Sequence, residues 1–360
     1  MTPRCAALPC VLAVGALLAG CGGEPAPQTP TTSSATSSAD SAPARTPPAE
    51  PARSGPPATA PVGAVVPLGN APEGIIVGSS GVAAAAVRQP DGIVIFDAST
   101  GAQRARVQTP SAARHLSLAG PDGPVLAPLE GSDELLAIRL ADGRIDYTVT
   151  GVGRQPHDSA ATADGTIVVA NEGGGGVVFV RDGRVAGSLP AGPIQPGGVA
   201  AVGNYAAVAD VQGNGVWVYD AATRRQVAQA PVGTKLTHAI ALTGDLAAFA
   251  DTDGGAVLIE RIGPQITEVA RVDAPGKPYG LAFDSSNDRL YITLTGSNLL
   301  RVVDIADPAT ARVLADIPTV QQPNSVAVDP RSGAVLVTGS NGAAATGSVQ
   351  IIGADLLPAS

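Results

Sequence analysis

Three histidines occur in this chain of 360 residues: His115 in "AARHLSL", His157 in "QPHDSAA" and His238 in "LTHAIAL". The intervals, 42 and 81 residues, are one and about two lengths of a common unit. Imidazole is the commonest protein ligand for borderline metal ions, and three on one centre favour Zn²⁺ over the hard cations Ca²⁺ and Mg²⁺. Glu73 in "APEGIIV" stands 42 residues before His115 and is expected to add a fourth, oxygen ligand. If the four converge, imidazole nitrogens would meet one zinc ion at about 2.0–2.1 Å.

The unit that spaces them repeats seven times. Its openings are "APEGIIV", "AARHLSL", "QPHDSAA", "QPGGVAA", "LTHAIAL", "KPYGLAF" and "QPNSVAV", which align Glu73, His115, His157, Gly197, His238, Tyr279 and Asn324, the third position of the unit (the fourth letter in "AARHLSL"). After each opening come short runs of Val, Ile, Ala and Leu, broken by Gly, Asp and Asn turns, and no stretch holds a 3.6-residue period. Four strands in about 42 residues is the size of a propeller blade. The expected fold is therefore all-β, a seven-bladed β-propeller. The seventh unit lacks a fourth strand, and "VGAVVPLG" (62–69) precedes the first unit as an orphan. Pairing the two would close the ring and remove an open sheet edge.

In such a ring the third position lies where each innermost strand begins, around the channel mouth. Tyr279 and Asn324 are expected at its rim, and Gly197 to leave a gap through which a ligand could approach. The hairpins after the second strands reach the same face with Asn171, Glu172, Asp210, Asp251 and Asp253. Together with Asp158, beside His157, this acidic set could orient imidazole N–H groups; for any one of the hairpin residues taken alone, turn chemistry is the commoner explanation.

Other chemistry is excluded. "DTDGG" (251–255) lacks the rest of a calcium loop, "NEGGGG" (171–176) fails phosphate-loop spacing, and no G-x-S-x-G elbow occurs. The net charge of −9, with scattered Lys and Arg, leaves no footprint for nucleic acid.

The first twenty residues carry Arg4, an apolar run too short to span a bilayer, and then "LAGC" (18–21). This motif resembles the lipobox of bacterial lipoproteins, which implies lipidation of Cys21 and placement on the outer face of the cell membrane. Cys5 and Cys10 would leave with the signal peptide, so no free thiol would remain. Residues 21–61, rich in Pro, Ala, Ser and Thr, read as a disordered tether. The organisation expected is a signal peptide (1–20), a lipidated tether (21–61) and a propeller (62–357).

The pattern P-x-G-hydrophobic-A, then DG, VVAN and V-x-V-x-D, resembles the YVTN-type bacterial β-propellers across the repeats. Lipidation, a histidine ring and this fold together look like the AztD family of zinc metallochaperones. That resemblance implies zinc as cargo and the solute-binding protein of an ABC importer as partner, with a monomeric chain that is not an enzyme. Two alternatives stand beside it: a metal-dependent, lactonase-like hydrolase using Asp158, Asp210 or Glu73 as base, and a non-catalytic scaffold for envelope proteins.

Overall fold

The computed structural model describes residues 50–340 and 347–359, all within one compact unit. The signal peptide, Cys21 and most of the tether lie outside the described residues. Twenty-eight strands form seven four-stranded antiparallel sheets. Six sheets take their strands in chain order. The seventh runs from the inner strand Pro323–Val328 through Val335–Ser340 and Gly347–Ile352 to Ala64–Gly69. The closing strand pairs Ala64 with Ile351 and Val66 with Val349. The seven-bladed ring and its N-terminal closure are thus as the repeats predict.

The core is divided rather than central. Seven apolar clusters lie between neighbouring blades; one joins Ile93 and Ile95 of blade 1 to Leu129 and Ile138 of blade 2. Another closes the circle with Leu68 and Leu336 of blade 7 against Phe96 of blade 1. Blades are wedges, so residues close to the axis must be small. The second strand of blade 1, Val82–Val87, reads VAAAAV and is buried along its whole length. Outermost strands such as Gln103–Gln108, QRARVQ, face water on one side and carry the charge that keeps an edge from pairing with another chain.

The way into each inner strand decides where the third position points. Ala71, Gln155, Lys277 and Gln322 each precede the opening proline of a unit with φ between 40° and 64°, a left-handed turn. Pairing with the second strand then slips just past that proline, between Pro156 and Ser159 in blade 3 and between Pro278 and Leu281 in blade 6. A bulge of this kind re-aims the side chains inside it. In blade 3 those are His157 and Asp158.

Candidate metal centre at the channel mouth

The three histidines come together. The His115 ring centroid lies 4.7 Å from that of His157 and 4.5 Å from that of His238, with interplanar angles of 53° in both pairs. Tyr279 joins them, its ring 6.3 Å from His115 and from His238. His115 and His157 are buried and His238 is half-buried. Both nitrogens of His115, Nε2 of His157 and Nδ1 of His238 are buried with no hydrogen-bond partner. Orphaned polar atoms at such density are rare, because each forfeits its hydration without replacement. An ion held by the three rings would satisfy three of the four, one nitrogen from each ring.

His157 is held from behind. Its Nδ1 lies 2.8 Å from Glu130 Oε1 and 3.1 Å from Glu172 Oε2. Glu172, itself fully buried, also accepts from Gln155 Nε2 at 3.2 Å and Gln195 Nε2 at 2.9 Å. Carboxylates on one imidazole nitrogen fix the ring's tautomer and orientation and leave the other nitrogen to bind. Glu130, His157 and Glu172 also place one potential ligand atom each within 4.8 Å of one another. This group contains one of the three histidines and neither of the others.

Charge divides the cluster. Burial alone would lower the His157 pKa, but Glu172 and Glu130 outweigh it and carry the group up to about 10. Burial and the neighbouring His157 charge push His238 down to about 4. His115 falls well below its ordinary value through burial, His238, His157 and Arg114. Burial would raise Glu130, yet His157 and Arg114 draw it to about 2.

Glu73 departs from its expected role as a ligand. Its Oε2 accepts from Arg88 and its Oε1 lies 3.1 Å from Arg114 Nη1, so both oxygens are already paired with guanidinium groups. Arg114, almost fully buried, reaches Glu130 at 3.4 Å and Glu50 at 2.9 Å as well. The mouth is therefore a network in which arginines neutralise the carboxylates of blades 1 and 2.

The remaining candidates divide. Asp158 is buried, accepts from Val199 N and Ser159 N, and is raised to about 6 by burial despite those bonds. It ties blade 3 to blade 4. Asp210 caps the backbone of Ile194, Gln195 and Gly213, and Asp251 that of Thr234, Lys235 and Gly254. Both hold turns, and neither shows a bond to an imidazole. Asn324 is buried and accepts from Thr338 Oγ1 at 3.2 Å. Gly197 leaves no open gap: a Cβ there would lie 3.0 Å from Val211 Cγ2 and 3.2 Å from Thr237 O. Its glycine permits close packing of blades 4 and 5.

Glu130 and the two arginines escaped the sequence reading, although a signal for them exists. Arg88, Glu130 and Glu172 each stand 15 residues after the third position of their own unit, at 73, 115 and 157. That is the first residue beyond each second strand, so a second ring lies against the first.

A further feature of the mouth lies in residues read as tether. Ser54 Oγ donates to Asn298 Oδ1, its carbonyl accepts from Gln321 Nε2, and Gly55 O accepts from Asn298 Nδ2. Four residues earlier, Glu50 pairs with Arg114. The segment 50–55 thus runs as a strap between blades 6 and 7 and blade 2.

No family model and no curated protein matches the chain. Solved structures do. The hydrazine synthase of Kuenenia stuttgartiensis aligns with a TM-score of 0.69 at 16% identity, covering 80% of this chain and 97% of that one. A streptogramin B lyase aligns at 0.65 and 15% identity, covering 80% and 97%. Virginiamycin B lyase from Staphylococcus aureus aligns at 0.64 and 14%, covering 80% and 99%. The chain is a β-propeller. At such identities the likeness is one of fold alone, and that fold carries many functions.

Proposed function

We propose that this protein binds a zinc ion as cargo at the channel mouth, through His115, His157 and His238. The observation that carries the reading is His115 packed against both His157 and His238, with four nitrogens of the three rings buried and unpartnered. Zinc suits this donor set because imidazole binds it well once His157 has given up its Nε2 proton to make way for the ion, and a tetrahedral ion tolerates three protein ligands and one exchangeable position. Glu130 and Glu172 would hold His157 so that Nε2 faces the ion. Glu73 is left out of the ligand set, since arginines occupy both its oxygens.

The resemblance to zinc metallochaperones extends this reading. The protein would stand on the outer face of the cell membrane, anchored through Cys21, and pass its ion to an importer's solute-binding protein. An open fourth position suits transfer, because a partner's ligand can attack before the imidazoles let go. The hydrolase alternative is less well supported: Asp158 and Asp210 are engaged by backbone N–H groups and Glu73 by arginines, which leaves none of the three named bases free.

Zinc titration of the purified chain tests the site. One ion should bind tightly, and each single His→Ala variant should weaken it by orders of magnitude. An affinity unchanged in the triple His→Ala variant would end the proposal.

A further inference from the structure

The central channel continues past the histidines as a cavity of about 290 Å³. His115 and His238 line it near the start of their strands, and the rest of the lining comes from residues further along the inner strands. Among the large apolar ones are Ile76, Leu118, Ile240, Phe283 and Val328, from blades 1, 2, 5, 6 and 7. All five are only half-buried, packing on one side against the clusters between blades. Each lines the channel cavity, and Phe283 lines a second pocket beside Leu242 and Ile305 as well. Aliphatic and aromatic walls in a water-accessible space of this size are the usual setting of a small-molecule site.

The polar end is equally specific. His115 Nδ1 and Nε2 and His238 Nδ1 are buried without partners, and both rings line the cavity. With a small turn of either ring toward the cavity, a bound molecule's one polar group would supply a missing hydrogen bond while its apolar part displaces water from the walls. At ~30 Å³ per water-sized group, the space admits about ten heavy atoms.

We propose that this channel binds a compact, uncharged molecule with an apolar body and a single hydroxyl head, its head against His115 and His238 and its body among Leu118, Ile240, Phe283 and Val328. The proposal goes beyond zinc binding and needs no bound ion, and because the head uses His115 and His238, zinc and this molecule should compete.

The test uses the full chain, stripped of metal with a chelator, and 4-propylphenol as probe, followed by calorimetry and ligand-observed NMR. Binding is expected with a Kd on the order of 0.1–1 mM. Propylbenzene, without the head, and phenol, without the tail, should each bind at least about tenfold more weakly. Ile240→Asp should abolish binding by charging the wall, and Ile240→Trp should do so by filling the space while keeping it apolar. Zinc affinity is measured on the same variants and should stay within about threefold of the parent. No binding of the probe at 2 mM (a limit ~2-fold above the weakest expected Kd), or binding that survives both Ile240 variants, overturns the inference. Either result leaves the zinc titration to be judged separately.

Discussion

Glu172→Gln probes how the histidine cluster is held. The wild-type carboxylate sits 3.1 Å from His157 Nδ1, is fully buried, and shares the ring with Glu130 at 2.8 Å. A glutamine keeps the shape and can still accept from Gln155 or Gln195, but it removes the charge. A charge-assisted hydrogen bond contributes about 1.5–3 kcal/mol, and tenfold in affinity corresponds to about 1.4 kcal/mol. Losing one of two such bonds should therefore weaken zinc about 10- to 100-fold, the range seen when a partner behind a metal-binding histidine is lost. Competition with a chelator of known affinity reads this directly, and circular dichroism confirms that the fold persists. Glu172→Asp should recover part of the loss. An affinity within twofold of wild type would refute the orienting role. A loss as complete as that of His157→Ala, with His115→Ala harmless, would instead seat the ion between His157 Nδ1 and the two carboxylates.

Other perturbations reach the frame around the site. Glu260 is buried beside Glu268 on the neighbouring strand, and burial and that repulsion raise it from 4.5 to about 7. Because its folded pKa is raised, the native state holds the proton more tightly than the unfolded chain. Stability should then fall as pH rises from about 4.5 to 7, by up to about 3 kcal/mol, and Glu260→Gln should flatten that slope in urea titrations at stepped pH. An unchanged slope would contradict the assignment. Leu68→Ala, in the closing strand, should cost about 2–5 kcal/mol, and deletion of residues 61–69 should lower Tm further still. A deletion that melts like the full chain would mean the ring does not depend on this closure. Glu50→Ala combined with Ser54→Ala should loosen the strap and speed zinc release to a chelator severalfold, with little change in equilibrium affinity. Equal release rates would show that the strap does not gate the mouth.

The architecture was legible because each blade contributes one copy of the same turn and strand run, so a period of about 42 residues carries the fold. The histidines were legible for the same reason: equal phase in the repeat means equal height around the axis. Glu73 shares that phase, yet its fate depends on Arg114, the residue just before His115, and on Arg88, which takes in blade 1 the position Glu172 takes in blade 3. Phase reveals where a carboxylate sits and not whether a cation already holds it. Glu130 follows a leucine strand with no acidic neighbour of its own type, and only its 15-residue offset from His115, repeated by Glu172 after His157, marks it. The strap was hidden for a different reason. Its composition is that of a solvated linker, and what fixes it is a handful of directed bonds from Ser54, Gly55 and Glu50, which composition does not encode.

Sealing the circle with Ala64–Gly69 and Gly347–Ile352 has a cost during synthesis. Those partners are 287 positions apart, Ala64 against Ile351, so the strand made first must wait for nearly the whole polypeptide to leave the ribosome. Until then Leu68 has no complete bed, the last sheet keeps a naked rim, and the histidines have no finished pore to point into. Vectorial assembly of this kind leaves the nascent chain most open to proteases and chaperones at its latest stage. A break within Gly347–Ile352 would consequently be felt at Ala64–Gly69.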